Sequence, residues 1–496
     1  MVLSVAAFLG IPFAADTAYQ NRWKPPQPRE PWNETYQATS FGPACPSIYA
    51  SSSSEDCLSL NLWTSANSTS DNLPVVVWSQ GSDQANNEAI YYGGGLALKG
   101  VIGITFNRRD DAFGFLAHPE LNQEGLETFS HETSRNYGIL DHLEVLKWVQ
   151  KNIANFGGDP DRVTVAGQSF GSSQAYHAIN SPLFTGSFHG AIAESGIRWP
   201  YDTLLAGLAT SYVNMSRALE HGVNYTTQHN VSTIAELRTL SMEDLLIGSQ
   251  DRVGTADIWW VTALSAQYPL IFKPVLDGYA LPEKYIDSLL NGPANDVPVI
   301  TGNNKDESGA ATTTNFTTAE YKVYCTLKYG NLSSKYFLLC PGNNDTEVDR
   351  SWNAAARDTS VVGLWLFADA WIKSASSPFY TYYWDHAPPN QTEGAYHQSE
   401  IYYIMNSLYA SADSYSWTWY DYYIGDMMSG YWANFIKTGN PNIGGSFKNG
   451  ILPYWPANNG TGQFVHHIGD RFGGMSIAKP DQVEFIKEYF AQQTPY

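Results

Sequence analysis

Basic residues are scarce in this chain. Lys and Arg number 28 against 48 Asp and Glu, a formal net charge of −20 over 496 residues. That balance excludes nucleic acid as a partner, whose phosphates would be repelled, and disfavours anionic membrane surfaces. Charged residues of both signs reach only 15%, while apolar ones make up 43%, so a large core is within reach and disorder is not expected. Long apolar runs are also missing: none reaches the ~18 residues a membrane-spanning helix requires. No linker, charge block or repeat divides the sequence, so one domain over 1–496 is expected, with a helical cap inserted at about 200–290.

Cysteine is rare. Cys45 and Cys57 flank a Ser-rich loop, and Cys325 and Cys340 flank another short segment. Neither pair has Cys-x-x-Cys metal spacing, and no metal or organic cofactor is implied. Four cysteines allow three pairings; two local loops are the economical reading. N-x-S/T acceptors are abundant, at Asn33, Asn67, Asn214, Asn224, Asn230, Asn315, Asn331, Asn344, Asn390 and Asn459. Ten of them beside paired cysteines point to secretion and an oxidising compartment. Met1 to Gly10 is apolar but has no basic residue before it runs into Ile11-Pro12-Phe13-Ala14, so the expectation is a truncated N-terminus without its signal peptide.

The chemistry centres on Gly167-Gln168-Ser169-Phe170-Gly171. Val163 to Ala166 reads as a short buried strand, and Gln174 to Ala178 continues as a helix. Strand, sharp turn and helix form the context of a nucleophile elbow, whose glycines let strand and helix approach. The turn holds the Ser169 hydroxyl at a helix N-terminus, where N–H groups favour developing negative charge. Elsewhere Leu58–Trp63, Val75–Trp78, Val101–Phe106, Gly190–Gly196, Val297–Thr301 and Pro378–Trp384 read as strands. Residues 139–153, 233–246 and 483–490 carry helical spacing, and residues 1–60 read as irregular apart from the strand from Leu58. Strands alternating with helices predict an α/β fold with a mostly parallel sheet. A serine nucleophile needs a base and a carboxylate to orient it. Asp306 and Glu307 follow one predicted strand as candidate acids, and His397 follows the next as candidate base.

These blocks carry a resemblance. Phe8 to Ala14, Ser54 to Trp63, Asn136 to Asp141, Asn155 to Pro160, the elbow, and Trp432 to Asn442 resemble the type-B carboxylesterase/lipase family, which includes cholinesterases and secreted fungal lipases. The resemblance implies an α/β-hydrolase fold, with Ser169 as nucleophile, Glu307 as acid and His397 as general base. It also implies a Cys45–Cys57 disulfide. The implied activity is hydrolysis of a small-molecule carboxylic ester through an acyl-enzyme.

Three departures bear on the site. The family's His-Gly-Gly-Gly oxyanion loop is replaced by Gln80-Gly81-Ser82-Asp83, so N–H groups of Gly81, Ser82 and Phe170 are the expected oxyanion donors. A carboxylate ~4 Å from an oxyanion would cost about 4 kcal/mol at an effective dielectric of ~20, so Asp83 is expected to point away. Phe170 stands where the family has Ala, and Gln168 where cholinesterases have Glu, which argues against a cholinesterase. Aromatics reach 14%, and Gln168, Trp199, Trp259, Trp260 and Trp365 are expected to line a pocket for a bulky apolar or aromatic substrate. Two other readings keep the fold. The unusual loop would suit an acyl transferase, lyase or cyclase on a secondary metabolite, and a chain without a working nucleophile would be an adhesion module. The sequence does not fix an oligomeric state.

Overall fold

The computed structural model describes residues 4–50, 52–82, 84–129, 135–208, 210–252, 270–314 and 316–496. Twelve strands are present among them. They are β1 (Ala6–Pro12), β2 (Ser59–Thr64), β3 (Leu73–Ser79), β4 (Ile102–Phe106), β5 (Gly158–Gln168) and β6 (Gly190–Glu194), then β7 (Val213–Asn214), β8 (Val275–Leu276), β9 (Val299–Asn304), β10 (Phe379–Trp384), β11 (Phe464–Ile468) and β12 (Gly473–Ser476). Ten form one sheet in the order β1-β2-β4-β3-β5-β6-β9-β10-β11-β12. From β4 to β11 the neighbours are parallel; β1, β2 and β12 add antiparallel margins. This is the α/β-hydrolase architecture expected from the sequence.

The sheet is central because its strands are apolar on both faces. Side chains alternate along a strand, so Val75, Val77, Val163 and Val165 join one core cluster. Val76, Trp78, Ala166 and Ile192 join another on the opposite face. The helices Tyr137–Asn152 and Phe170–Asn180 cover the first face, and Trp419–Thr438 covers the second with Trp432 and Phe435. The wound parallel topology sends the carboxyl ends of β3, β5, β6, β9 and β10 to one edge, where open α/β sheets place their sites.

Several elements differ from the sequence reading. The first strand, Ala6–Pro12, lies in a stretch read as irregular; it is a half-exposed edge strand whose pairing with β2 is interrupted near Gly10, at φ 68°. The helical period over 233–246 breaks into Ile234–Leu237 and Met242–Leu246, because Ser241 restarts the helix by accepting from the Asp244 amide at 3.0 Å. The 30-residue helix Asp345–Ser374 has no counterpart in that reading. Among the described residues, no helix is long and apolar enough to cross a membrane.

Cys45 and Cys57 are joined by a disulfide with Cα atoms 5.0 Å apart. Cys325 and Cys340 are not, which corrects the expectation of two local bridges: both are buried free thiols. Gln482 donates to Cys340 Sγ at 3.4 Å, and both cysteines pack in the cluster that holds Tyr321, Tyr329 and Tyr336. Asp83, Trp259, Trp260 and Asn315 lie outside the described residues, so the expected orientation of Asp83 has no counterpart here.

Candidate active site

The elbow forms where the pattern of glycines requires it. Ser169 joins β5 to the helix Phe170–Asn180 with φ 58° and ψ −122°, a conformation L-residues adopt only under constraint. The constraint is the crossing of strand and helix. A Cβ on Gly171 would sit 1.9 Å from the Ser79 carbonyl oxygen, and one on Gly167 would sit 2.5 Å from Gly171 backbone. The Ser169 amide donates to Glu194 O at 2.9 Å, which ties the turn to β6. The hydroxyl therefore projects from a fixed backbone at the start of an 11-residue helix.

Glu307 and His397 come from loops after β9 and β10, and those loops are stitched together. The Asp306 amide donates to Ala395 O at 3.0 Å, and the Ala395 amide donates back to Asp306 Oδ2 at 2.8 Å. Arg357 holds the other carboxylate oxygen of Asp306 at 2.5 Å. One residue on, Glu307 Oε1 accepts from the Asn304 amide at 2.7 Å, and Oε2 lies 2.6 Å from His397 Nδ1. The carboxylate is buried, while 42% of the imidazole side chain stays open to the cleft.

Burial works against the charged imidazole, but the hydrogen bond and charge of Glu307, helped by Glu400, outweigh it and lift His397 above 6.5; Arg198 opposes them. Beneath lie two further buried carboxyls. Burial, then the charge of Glu307, pushes Glu400 up to about 7. Burial, then Glu400, raises Glu194 well above the usual range, and its Oε1 accepts from the Trp432 indole at 2.7 Å.

A cleft of about 380 Å³ opens over these groups. It is lined by Ser82, Ser169, Ser195, Arg198, Leu204, Leu208, Thr210, Arg252, Leu270, Glu307, Ser308, Gly309 and His397. All three predicted catalytic side chains line this one cavity. No hydrogen bond joins the Ser169 hydroxyl to the imidazole among the described residues. Instead the Gln168 amide nitrogen lies 3.2 Å from both ring nitrogens.

The oxyanion loop divides. Ser82 lines the cleft, and Phe170 opens the helix after Ser169. The Gly81 amide is occupied, donating to Gln84 Oε1 at 3.1 Å. Arg108, absent from the sequence reading, braces this region. It is fully buried, donates to Ser79 Oγ at 3.0 Å and Gly81 O at 3.4 Å, and stacks 4.8 Å over the Phe170 ring.

Two tryptophans expected in the pocket are elsewhere. Trp199 stacks on Tyr201 at 5.6 Å, and its neighbour Arg198 takes the cleft wall instead. Trp365 points across the helix Asp345–Ser374 to donate to Gly462 O at 3.0 Å. Trp199 serves packing, and Trp365 packing with one hydrogen bond, roles that composition alone does not distinguish from pocket lining. Arg198, Leu204, Leu208, Arg252 and Leu270 were missed; only the place of Arg198 just past β6 signals it in sequence.

A family model described as the carboxylesterase family matches residues 2–486. Fumonisin B1 esterase of Sphingopyxis macrogoltabida is 32% identical over 96% of this chain and 87% of its own. Carboxylesterase 1D of Rattus norvegicus is 29% identical over 99% of this chain and 90% of its own. Para-nitrobenzyl esterase of Bacillus subtilis is 35% identical over a shorter span, 60% of this chain and 58% of its own.

Proposed function

The chain belongs to the carboxylesterase family and is a serine hydrolase of carboxylic esters, and within that activity we propose the roles of its residues. Ser169 attacks the ester carbonyl, His397 takes its proton and later delivers it to the leaving alcohol, and Glu307 holds the imidazole and offsets its positive charge. Water then enters by the same base and releases the acid. The N–H groups of Ser82 and Phe170 receive the oxyanion. The Gly81 amide joins them once Gln84 swings aside.

The observation that carries this reading is the 2.6 Å contact between Glu307 and His397 on the wall of the cleft that holds the elbow serine. The missing Ser169–His397 bond is no obstacle, because such bonds commonly close only with substrate bound. Turnover of short-chain nitrophenyl esters, lost in Ser169→Ala with the fold intact, supports the assignment. Fluorophosphonate labelling of Ser169 without any ester turnover would favour acyl transfer or another reaction, and no labelling at all would favour an adhesion module.

The same reading places the protein in the secretory pathway. It is supported by the Cys45–Cys57 disulfide and by the exposure of all nine described acceptor asparagines, such as Asn33, Asn331 and Asn459. Peptide mapping of the secreted protein for glycans at these positions tests it.

A further inference from the structure

We propose that the cleft selects esters bearing a free carboxylate, recognised by Arg198 together with Arg252. The inference rests on the ester-hydrolase reading and names the substrate class of that site. Both arginines line the cavity with Ser169, and the one acid among its described lining residues, Glu307, is engaged with His397. A chain with 28 basic and 48 acidic residues has little positive charge to distribute, yet two arginines line the cavity of its reacting serine.

Arg198 is held ready rather than left loose. Its side chain is 8% exposed, Nη1 donates to Asp202 Oδ2 at 2.8 Å, and Nη2 donates to Ser308 Oγ. Asp202 is itself fixed, accepting from the Leu204 amide at 3.0 Å. These bonds use two of the five N–H donors of a guanidinium. Planar forks of this kind suit a carboxylate, which they grip through parallel charge-assisted bonds. Arg252, whose backbone pairs with that of Leu270, supplies a second cation from a more exposed position. Leu204, Leu208 and Leu270 make the intervening wall apolar. The matching substrate is amphiphilic, with a hydrocarbon segment between ester and acid. An ester without an acid would make no charge-assisted bond to the Arg198 donors that Asp202 and Ser308 leave over.

Two rigid pairs of esters test this. One is para-nitrophenyl hydrogen terephthalate against its methyl ester; the other is para-acetoxybenzoate against methyl para-acetoxybenzoate. In each pair the carboxylate is too remote to assist its own hydrolysis. At low ionic strength the anionic member of at least one pair should have kcat/KM higher by roughly tenfold to a hundredfold, the span of a charge-assisted hydrogen bond. That ratio should collapse in Arg252→Gln and in Arg198→Gln, recover in part in Arg198→Lys, and fall with added salt. Equal or better turnover of the neutral member in both pairs would overturn the proposal, as would a ratio unmoved by both glutamine substitutions. If none of the four esters is hydrolysed, the hydrolase reading fails separately. The carboxylate site is then read by whether terephthalate slows fluorophosphonate labelling of Ser169 and does so less in Arg252→Gln; absence of any slowing would overturn it.

Discussion

Replacing Glu307 by Gln removes both the charge and the hydrogen-bond acceptor that serve the imidazole. The amide keeps an oxygen for the Asn304 amide, which Glu307 Oε1 now accepts at 2.7 Å, so the loop should hold its shape. What disappears is the negative charge against His397 Nδ1 at 2.6 Å, and the –NH2 that replaces the oxygen there donates to Nδ1 and holds the imidazole in the tautomer unable to act as base. With charge centres ~4 Å apart and an effective dielectric of ~20, that charge stabilises the imidazolium by about 4 kcal/mol. The imidazolium exists in the transition state and not in the resting enzyme, so the lost charge alone should lower kcat by about a thousandfold and the tautomer change should lower it further. The pH profile gives a second reading. His397 lies above 6.5 and must be neutral to act, so wild-type activity should rise with pH through a midpoint above 6.5. Without Glu307, burial becomes the dominant influence and the midpoint should drop below 6.5. Nitrophenyl ester kinetics from pH ~5 to 9, with a thermal melt as folding control, measure both. A well-folded variant with kcat within about tenfold of wild type and an unmoved acid limb would refute the reasoning.

Glu400→Gln removes a buried carboxyl held near 7 and should move the acid limb down by less than Glu307→Gln does, with a smaller loss of kcat. Because Glu400 is neutral in the fold between 4.5 and about 7 while its unfolded form is charged, wild type loses stability as pH rises through that window. The glutamine variant should gain on wild type there, as melts at the two ends of the window would show. Asp141→Asn strips the charge from a pair whose side chains are 2% and 0% exposed, in which Arg109 Nη2 and Nε reach the carboxylate at 2.6 and 2.9 Å. It should cost about 3–5 kcal/mol. With an unfolding entropy of ~2.1 cal/mol/K per residue, that is roughly 3–5 °C in Tm. Cys45→Ser with Cys57→Ser opens a bridge spanning 12 positions and should cost about 3 kcal/mol in denaturant titrations while leaving activity in the surviving native fraction.

The sequence is most legible where backbone and periodicity dominate. The buried runs at Val75–Trp78 and Val163–Ala166 read as central strands because both faces are covered, and both appear within β3 and β5. The elbow was legible because Gly167 and Gly171 answer a steric demand that no other residue meets. Longer-range features were hidden. Arg108 sits at the end of a strand, where an arginine ordinarily reads as solvated, yet it packs on Phe170 and the oxyanion loop. Arg198 and Trp199 are adjacent, and only the turn fixed by Asp202 determines which faces the cleft. The aromatic residues misled for a related reason: Trp199 and Trp365 serve cores and backbone carbonyls, and the cleft wall is built from leucine and arginine.

The central claim is that one hydroxyl, at Ser169, is activated by His397 and Glu307. Peptide mapping after fluorophosphonate treatment tests it most directly. A single adduct on Ser169, formed in step with loss of esterase activity and slowed by His397→Ala and Glu307→Gln, is the predicted result. An adduct elsewhere that abolishes activity, or full ester turnover by a folded Ser169→Ala protein, would contradict it.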